Sequence, residues 1–241
     1  MESLILKPMD GSFLLWRCLH DGPVTRENLD VPPDESRLPF RRTAIPLLKR
    51  LTELYGSAAI LAWEGDAVVG LLRFVPKVVS QMECGGGFCL LMPFPAGPRE
   101  DFPQRTLPSK ETIEDRTLVV TCIQLRSDRQ RQGVGRALVE RLKSWAREEG
   151  WEAIEATAYQ DLPLVFEITG NAGRVWWEGL GFHVLESLEE EAMKEYGDFL
   201  HTLEIQAMEK GMSPQEVTQK FLMRWDAQRH WDELTRTASI R

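Results

Sequence analysis

The residues with the clearest chemical potential are Gln130-Arg-Gln-Gly-Val-Gly135, which stand between an apolar segment and an amphipathic one. Two glycines let the main chain come close to a ligand, and the first turn of a following helix leaves amide N–H groups without intrahelical partners. From residue 126 to residue 147 the chain has seven basic residues against two acidic ones, inside a protein with a net charge of −8. Backbone N–H groups and local positive charge together favour a polyanion, and a diphosphate suits them best.

The flanking segments predict a strand before this loop and a helix after it. Residues 118–125 are apolar on both alternating faces, as expected for a strand covered on both sides. After the glycines, apolar residues recur every three or four positions, and Gly150 is suited to end the helix. The loop fits neither common nucleotide fingerprint, because Leu138 stands where a dinucleotide fold needs its third glycine and no Gly-Lys-Ser/Thr is present.

Two sequence motifs together resemble those of the GNAT superfamily of acyl-CoA N-acyltransferases. Gln130, Gly133 and Gly135 match its motif A, Gln-x-x-Gly-x-Gly after a strand. Residues 171–182 resemble motif B, in which a short helix ends in an aromatic pair, here Trp176-Trp177, followed by three residues and Gly-Phe. The resemblance covers residues 118–186. It implies an α/β (α+β) fold with a mixed central sheet, in which the strand at 118–125 and a parallel strand at 151–159 splay apart.

The resemblance also implies the cofactor and its contacts. Acetyl-CoA would be the acyl donor and an amine the acceptor. Backbone groups of Ile123 and Leu125 would bind the pantetheine arm, and a backbone N–H of the same strand would polarise the thioester carbonyl. The other residues implied to contact the cofactor are Gln130, Arg131, Gln132, Gly133, Val134, Gly135, Arg136, Asn171 and Trp177.

A general acid is harder to assign. The family often carries a tyrosine where this chain has Trp177, and an indole N–H cannot act as an acid. Tyr159, which ends the second of the two parallel strands, is the candidate substitute; the alternative is a tyrosine that only packs in the core. A base on the first of these strands is missing as well, because residues 119–125 contain no carboxylate. Glu155, Glu167 and Glu178 are nearby alternatives that the sequence does not rank.

The histidines and cysteines do not have metal-site spacing. They are His20, His183, His201 and His230, with Cys18, Cys84, Cys89 and Cys122. We therefore expect no metal and free thiols, with a small disulfide between Cys84 and Cys89 as the alternative.

Composition places the protein among soluble globular chains. It has 241 residues, of which 43% are hydrophobic and 27% charged. Its apolar runs are short of a membrane span and its N-terminal residues lack the pattern of a signal peptide, so we expect a cytoplasmic protein without a membrane partner. The acidic balance argues against nucleic acid and suits a cationic amine, although surface acidity also serves solubility alone.

Upstream of motif A, the patterns predict five features. These are a short strand at 4–7, a helix at 11–20, a loop at 21–38, a helix at 45–55 with Pro46 near its start, and a hairpin of strands 58–63 and 67–75. Residues 77–116 are rich in glycine and proline and are predicted to be an irregular insertion, either a lid or a mobile segment. The loop at 21–38 either borders the acceptor or is a plain connection.

Downstream of motif B, the patterns predict a strand at 182–186 and then helices. A helix is predicted at 188–210, with a final strand at 198–206 as the alternative. A capping box at 213–216 predicts a last helix at 217–234. Its apolar residues would bury against the domain or against a second subunit in a homodimer; they are Phe221, Leu222, Trp225 and Trp231. The domains are then a GNAT domain at 1–187 and a mainly helical extension at 188–241.

Two functions fit these features. The first is an acetyl-CoA-dependent N-acetyltransferase acting on a small-molecule or protein amine. The second is a non-catalytic acyl-CoA-binding regulatory protein that lacks the motif B tyrosine.

Overall fold

The computed structural model describes residues 3–19, 22–32, 38–84, 106–162, 172–189, 199–213 and 219–228. The chain divides into two compact units, Met1–Glu152 and Ala153–Arg241. Motif A therefore lies in the first unit and motif B in the second. The predicted domain boundary at residue 187 stays a prediction.

The first unit is built on an antiparallel sheet. Its strands are β1 (Ile5–Pro8), β2 (Val24–Thr25), β3 (Ala59–Glu64), β4 (Ala67–Pro76) and β5 (Thr117–Leu125). They are ordered β1-β3-β4-β5, and β2 pairs with the start of β4. The predicted hairpin is confirmed as β3 and β4, which are joined through Gly65 in a left-handed conformation with φ of 59°. The predicted strands at 4–7 and 118–125 are confirmed as β1 and β5.

In the part of this unit that the structure describes, three helices accompany the sheet: α1 (Leu38–Tyr55), α2 (Lys77–Cys84) and α3 (Val134–Glu148). The amphipathic helix predicted after the glycines is α3, which packs against β1, β3, β4 and β5. Its Trp145 ring lies 4.8 Å from that of Phe74 on β4, measured between centroids. The helix buries an apolar stripe because its apolar residues follow the helical period.

The predictions for residues 45–55 and 77–84 in the first unit need correction. Helix α1 begins seven residues before Ile45, so that Pro46 lies inside it on an exposed position and not near its start. Residues 77–84 were expected to be irregular but form α2; residues 85–105 of the predicted insertion, with Cys89, lie outside the described residues.

The segment 11–19 is not the predicted helix. The carboxylate of Asp10 accepts hydrogen bonds from the backbone N and the Oγ of Ser12, at 2.8 and 2.5 Å, and so forms a turn that competes with helical bonding. Phe13, Leu15 and Trp16 are nevertheless fully buried. The apolar pattern there indicates burial rather than a helix.

Among its described residues, the second unit has a three-stranded antiparallel sheet and two helices. Its strands are β6 (Ala153–Tyr159), β7 (His183–Glu189) and β8 (Gln219–Asp226), and they are ordered β6-β8-β7. Its helices are α4 (Arg174–Glu178), which is the helix of motif B, and α5 (Phe199–Glu209). A parallel bridge joins Tyr159 to Gly173. The strands predicted at 151–159 and 182–186 are confirmed as β6 and β7.

The predicted last helix is wrong over residues 219–226, which form the strand β8. Phe221, Met223 and Trp225 are buried and alternate with half-buried residues, which is the period of a strand and not of a helix. Strand β8 pairs with β6 along seven residues, so its backbone bonds are satisfied by the sheet. The capping box misled the prediction because it describes only a helix start.

The helix predicted at 188–210 is confirmed over α5 and wrong at its start, where β7 continues to Glu189. The alternative of a strand at 198–206 is wrong for residues 199–206, which are helical. Among the described residues, no helix is both long and apolar enough to cross a membrane.

Candidate functional site

The glycine loop joins β5 to α3 as the sequence predicted. Strand β5 ends at Leu125, residues Ser127–Arg129 form one turn of 3-10 helix, and α3 begins at Val134. The backbone N of Arg126 still donates to the carbonyl of Val69 on β4, at 3.0 Å. The loop therefore leaves the sheet directly after its last ladder bond.

Two residues of the loop are left-handed. Arg131 has φ of 59° and Gly133 has φ of 83°. Left-handed residues occur in backbone turns that direct successive N–H groups toward one side and so make a concave anion-binding surface. For Gly133 the conformation explains the glycine. For Arg131 it is a strained backbone that the sequence did not reveal.

The start of α3 leaves its first amide groups available. Gly133 is the N-cap residue, and its carbonyl accepts the first helical bond from Ala137 N at 3.0 Å. No side chain caps the helix, because the N-cap residue is a glycine. The N–H groups of the first turn have no intrahelical acceptors and carry the positive end of the helix dipole.

The arginines before the glycines are engaged within the protein. Arg126 donates from Nε and Nη2 to the two carboxylate oxygens of Asp128, at 2.5 and 2.9 Å. This bond lowers the pKa of Asp128 and raises the pKa of Arg126. Arg129 donates from Nε and Nη2 to Glu64 on β3, at 3.0 and 2.6 Å. These two acidic and two basic side chains balance in charge.

The side chains closest to the glycines in sequence are exposed. Gln130, Arg131, Gln132 and Arg136 all face solvent, and Gln132 donates to the carbonyl of Asp128 at 2.6 Å. Val134 and Gly135 are buried. Positive charge at the helix start therefore comes from Arg131 and Arg136, while Arg126 and Arg129 shape the loop.

Strand β5 carries a bulge before the predicted pantetheine contacts. The register with β4 shifts between Arg73 and Phe74, which leaves Thr121 without a partner on β4. Because Arg126 bonds to β4 and strand residues alternate, the backbone groups of Ile123 and Leu125 point to the opposite edge of β5. Both residues are half-buried. A bulge commonly re-aims a strand next to a functional site.

The buried Arg73 on β4 and Gln124 on β5 hold the chain segment 15–19 through hydrogen bonds. The guanidinium of Arg73 is fully buried and donates from Nη2 to the carbonyls of Leu15 and Arg17, at 3.0 and 3.2 Å. Gln124 on β5 accepts from Leu19 N at 3.0 Å. Burial raises the pKa of the neighbouring Cys122 thiol to about 11. No sequence pattern indicates these contacts, because they join residues far apart in the chain.

Tyr159 ends β6 in the second unit and is buried. It pairs with Lys220 of β8, whose ammonium lies 5.6 Å from the centre of its ring. Glu155 on the same strand is 2% exposed and accepts from Arg224 Nη1 at 2.9 Å. Glu178 lies on the surface and pairs with Arg174. Glu167 is outside the described residues.

Trp177 is buried in an aromatic cluster. Its ring lies 4.9 Å from Trp176 and 4.8 Å from Phe182, measured between centroids. Within the described part of the chain its indole N–H has no hydrogen-bond acceptor. Asn171, the other predicted contact from motif B, lies outside the described residues.

Asp161 orders the motif B helix, which the sequence analysis missed. Its carboxylate accepts from Val175 N at 3.0 Å, and Lys210, the residue directly after α5, donates to its carbonyl. A Cβ on Gly173 would collide with this carboxylate. Gly173 is therefore required for the close approach of Asp161 to the start of α4. In the described ranges no group of three His, Cys, Asp or Glu residues could hold a metal.

Comparisons with known proteins agree with this architecture. The family model described as the acetyltransferase (GNAT) family matches residues 26–163. No curated protein matches the chain. A solved GNAT-family acetyltransferase from Streptococcus pneumoniae is 12% identical, with 93% of this chain and 99% of that one covered at a TM-score of 0.50.

Two further solved structures are similar. An acetyltransferase of the GNAT family from Desulfovibrio desulfuricans is 17% identical, with 93% of this chain and 99% of that one covered at a TM-score of 0.46. A Bacillus subtilis acetyltransferase in complex with CoA is 14% identical, with 74% and 83% covered at a TM-score of 0.39. The fold is mixed α/β with antiparallel and parallel pairing. Because the family model spans more than half of the chain, including motif A, the protein belongs to the GNAT acetyltransferase family.

Proposed function

We propose that the protein is an N-acetyltransferase that transfers an acetyl group from acetyl-CoA to a primary amine. One observation carries the proposal: an uncapped helix start with two left-handed residues before it, at the position of motif A. Such a start presents several backbone N–H groups to one anion. The diphosphate of CoA has the charge and size for these groups.

The contacts proposed for the cofactor follow from the loop. Backbone N–H groups from Gln132 to Arg136 would bind the diphosphate, with Gln130 and the exposed Arg131 at its rim. Arginine donors suit phosphate oxygens because their N–H groups form a planar fork. The backbone of Ile123 and Leu125, at the edge of β5 away from β4, would bind the pantetheine arm. Asn171 and Trp177 remain predicted contacts from motif B.

Acetyl transfer makes three demands. The amine nitrogen, as a neutral nucleophile, forms a bond to the acetyl carbonyl carbon and gives up one N–H proton to a base or to water. The carbon–sulfur bond breaks, and the departing thiolate takes up a proton. A backbone N–H of β5 near the Thr121 bulge would stabilise the negative charge that develops on the carbonyl oxygen. Alignment of the two substrates would supply much of the rate.

Tyr159 is the proposed proton donor to the thiolate. It is a phenol at the end of β6, and Trp177, in the family's usual tyrosine position, has no acidic group. Glu155 is a weaker candidate for a base because its carboxylate is held by Arg224. The acceptor is proposed to be a cationic amine of a small molecule or protein, which the acidic balance of the chain favours.

One observation favours a second function, a non-catalytic acyl-CoA-binding protein. Trp177 fills the motif B position with a buried indole whose N–H has no acceptor in the described residues. A protein that binds the cofactor without turnover would not need an acid there. Thiol release from acetyl-CoA with a pooled amine library separates the two functions, because only the enzyme releases CoA in an amine-dependent way.

The cofactor assignment is tested by calorimetry with CoA. Gly135→Gln should abolish measurable binding, because a bulky side chain at the first turn of α3 blocks the approach of the diphosphate. Ser144→Gln is the matched control, since it adds the same side chain to an exposed position about two and a half turns along the same helix. Circular dichroism verifies that both variants are folded, and Arg136→Glu probes the same site from the surface. CoA binding that is unchanged in Gly135→Gln and Arg136→Glu contradicts the assignment.

A further inference from the structure

The β3–β4 hairpin holds the glycine loop at three points. Arg126 N donates to the carbonyl of Val69 at 3.0 Å, directly after the end of β5. Glu64, the last residue of β3, accepts two hydrogen bonds from Arg129. Gly70 on β4 faces Val134, the first residue of α3. The hairpin thus contacts the start, the middle and the end of the loop.

Glu64 is the polar contact of this set. A single carboxylate oxygen, Oε2, accepts from Arg129 at 3.0 and 2.6 Å and lies 3.6 Å from Nη2 of Arg126. The side chain is 23% exposed, so the pair is only partly screened by water. Hydrogen bonds between two charged groups are roughly twice as strong as those between neutral groups. Arg129 is thereby held by an element that is 65 residues away in sequence.

Gly70 is the packing contact. A Cβ at this position would lie 3.1 Å from each of Ala62 Cβ, Leu125 Cδ2 and Val134 Cγ1. Three such contacts at once are tighter than side chains normally tolerate, and Ala62 belongs to a buried strand. The missing side chain on Gly70 is the space into which Val134 fits. An alanine there would displace Val134, and with it the first turn of α3.

We propose that Glu64 and Gly70 are positioning residues that set the affinity of the loop for the diphosphate of CoA. This inference rests on the proposed function and deepens it. Neither residue touches the ligand: Glu64 acts through Arg129 on the turn before the left-handed residues, and Gly70 acts through Val134 on the N–H groups after them.

The charge of Glu64 makes the proposal testable. A carboxylate near an anion site repels the anion, so electrostatics alone predicts that Glu64→Gln binds CoA more tightly. Positioning predicts the opposite, because the loop loses its tether. We expect the affinity of Glu64→Gln for CoA to fall on the order of tenfold, as for other small displacements of binding groups.

The experiment is calorimetric titration of the full chain with CoA at fixed ionic strength, with thermal melting of each variant. Asp66→Asn is the matched control, since it removes the same charge from the turn of the same hairpin, at an exposed side chain. It should bind CoA as well as the wild type or slightly better. Exchange of the pair, Glu64→Arg with Arg129→Glu, should recover part of the affinity that Glu64→Gln loses. Gly70→Ala should weaken binding without any change in charge.

The outcomes are distinct. If the wild type binds CoA, and Glu64→Gln and Gly70→Ala bind it equally well or better, the positioning role is overturned while the proposed function stands. If melting temperatures fall while affinity for CoA is unchanged, the two residues only stabilise the fold, and the inference is also overturned. If the wild type itself does not bind CoA, the proposed function fails and takes this inference with it.

Discussion

The two compact units differ sharply in charge. Residues 1–152 contain 21 acidic and 21 basic residues, whereas residues 153–241 contain 16 acidic and 8 basic ones. The whole net charge of −8 therefore belongs to the second unit, and the seven basic residues at 126–147 belong to the neutral first unit. An anion site in a neutral unit needs only local charge and backbone N–H groups. The acidic balance that supports the proposal of a cationic acceptor comes from the second unit alone.

The units also differ in how clearly the sequence pattern identifies their buried residues. Strand β8 is the most direct place to test this difference. Met223→Ala should lower the free energy of unfolding by about 2–5 kcal/mol, because Met223 is fully buried in the strand. Leu222→Ala should cost much less, since Leu222 is half-buried on the opposite face. Urea denaturation followed by circular dichroism measures both.

A helix at 217–234 predicts the reverse order for these two variants. Phe221, Leu222 and Trp225 would then share the buried stripe, and Met223 would lie off it. A larger loss for Leu222→Ala than for Met223→Ala would restore the helix and remove β8 from the second unit.

The contrast between the units explains which elements the sequence could predict. In the first unit, hairpin residues and their turn are neighbours in sequence, and α3 carries its own period and its terminating glycine. In the second unit, β8 lies between β6 and β7, so that its partners are about 30 to 70 residues away. The alternation of Phe221, Met223 and Trp225 in the sequence is consistent with a strand. Because Leu222 between them is also apolar, the same residues are equally consistent with the apolar stripe of a helix.

The second prediction concerns the proposed acid in the acidic unit. Tyr159→Phe should lower turnover by roughly a hundredfold while CoA still binds, because only the hydroxyl is removed. The measurement is thiol release under conditions where chemistry limits the rate. Tyr55→Phe is the matched control: it removes a hydroxyl that donates to the carbonyl of Pro108 at 2.7 Å in the first unit. It should cost about 1 kcal/mol of stability and leave turnover unchanged.

Wild-type turnover in Tyr159→Phe would assign the tyrosine to packing. The proton would then come from water or from the acceptor amine, and the second unit would contribute no acid from β6. In that case Trp177 would be interpreted as a wall beside the cofactor.

The candidate site shows the same limit on sequence prediction as the fold. Motif A located the loop, since glycines between a strand and a helix are local signals. Glu64, Gly70 and Asp161 were missed because their roles depend on contacts across the fold. Gly70 alone had a signal, since a glycine inside an apolar strand indicates close approach of another chain segment. The left-handed backbone of Arg131 had none, because arginine has no preference for that conformation.

The smallest expected effects concern Arg131. Its replacement by glycine should raise stability and lower the affinity for CoA. Arg131→Gly should raise the free energy of unfolding by up to about 1 kcal/mol, because the left-handed backbone is unstrained for glycine and this gain exceeds the extra freedom of the unfolded chain. The same variant should bind CoA a few times more weakly, since one exposed charge beside the diphosphate is lost. Its affinity should also depend less on salt, because exposed charges are screened within about 8 Å at physiological ionic strength.

Arg131→Asn removes the same charge but tolerates the left-handed conformation only partly, so it should match the glycine variant in affinity and fall below it in stability. Calorimetry at two salt concentrations and urea denaturation separate the two parts. Equal affinity and equal salt dependence in all three proteins would mean that the Arg131 side chain does not contact the ligand, and the local charge would then act through Arg136 and the backbone alone.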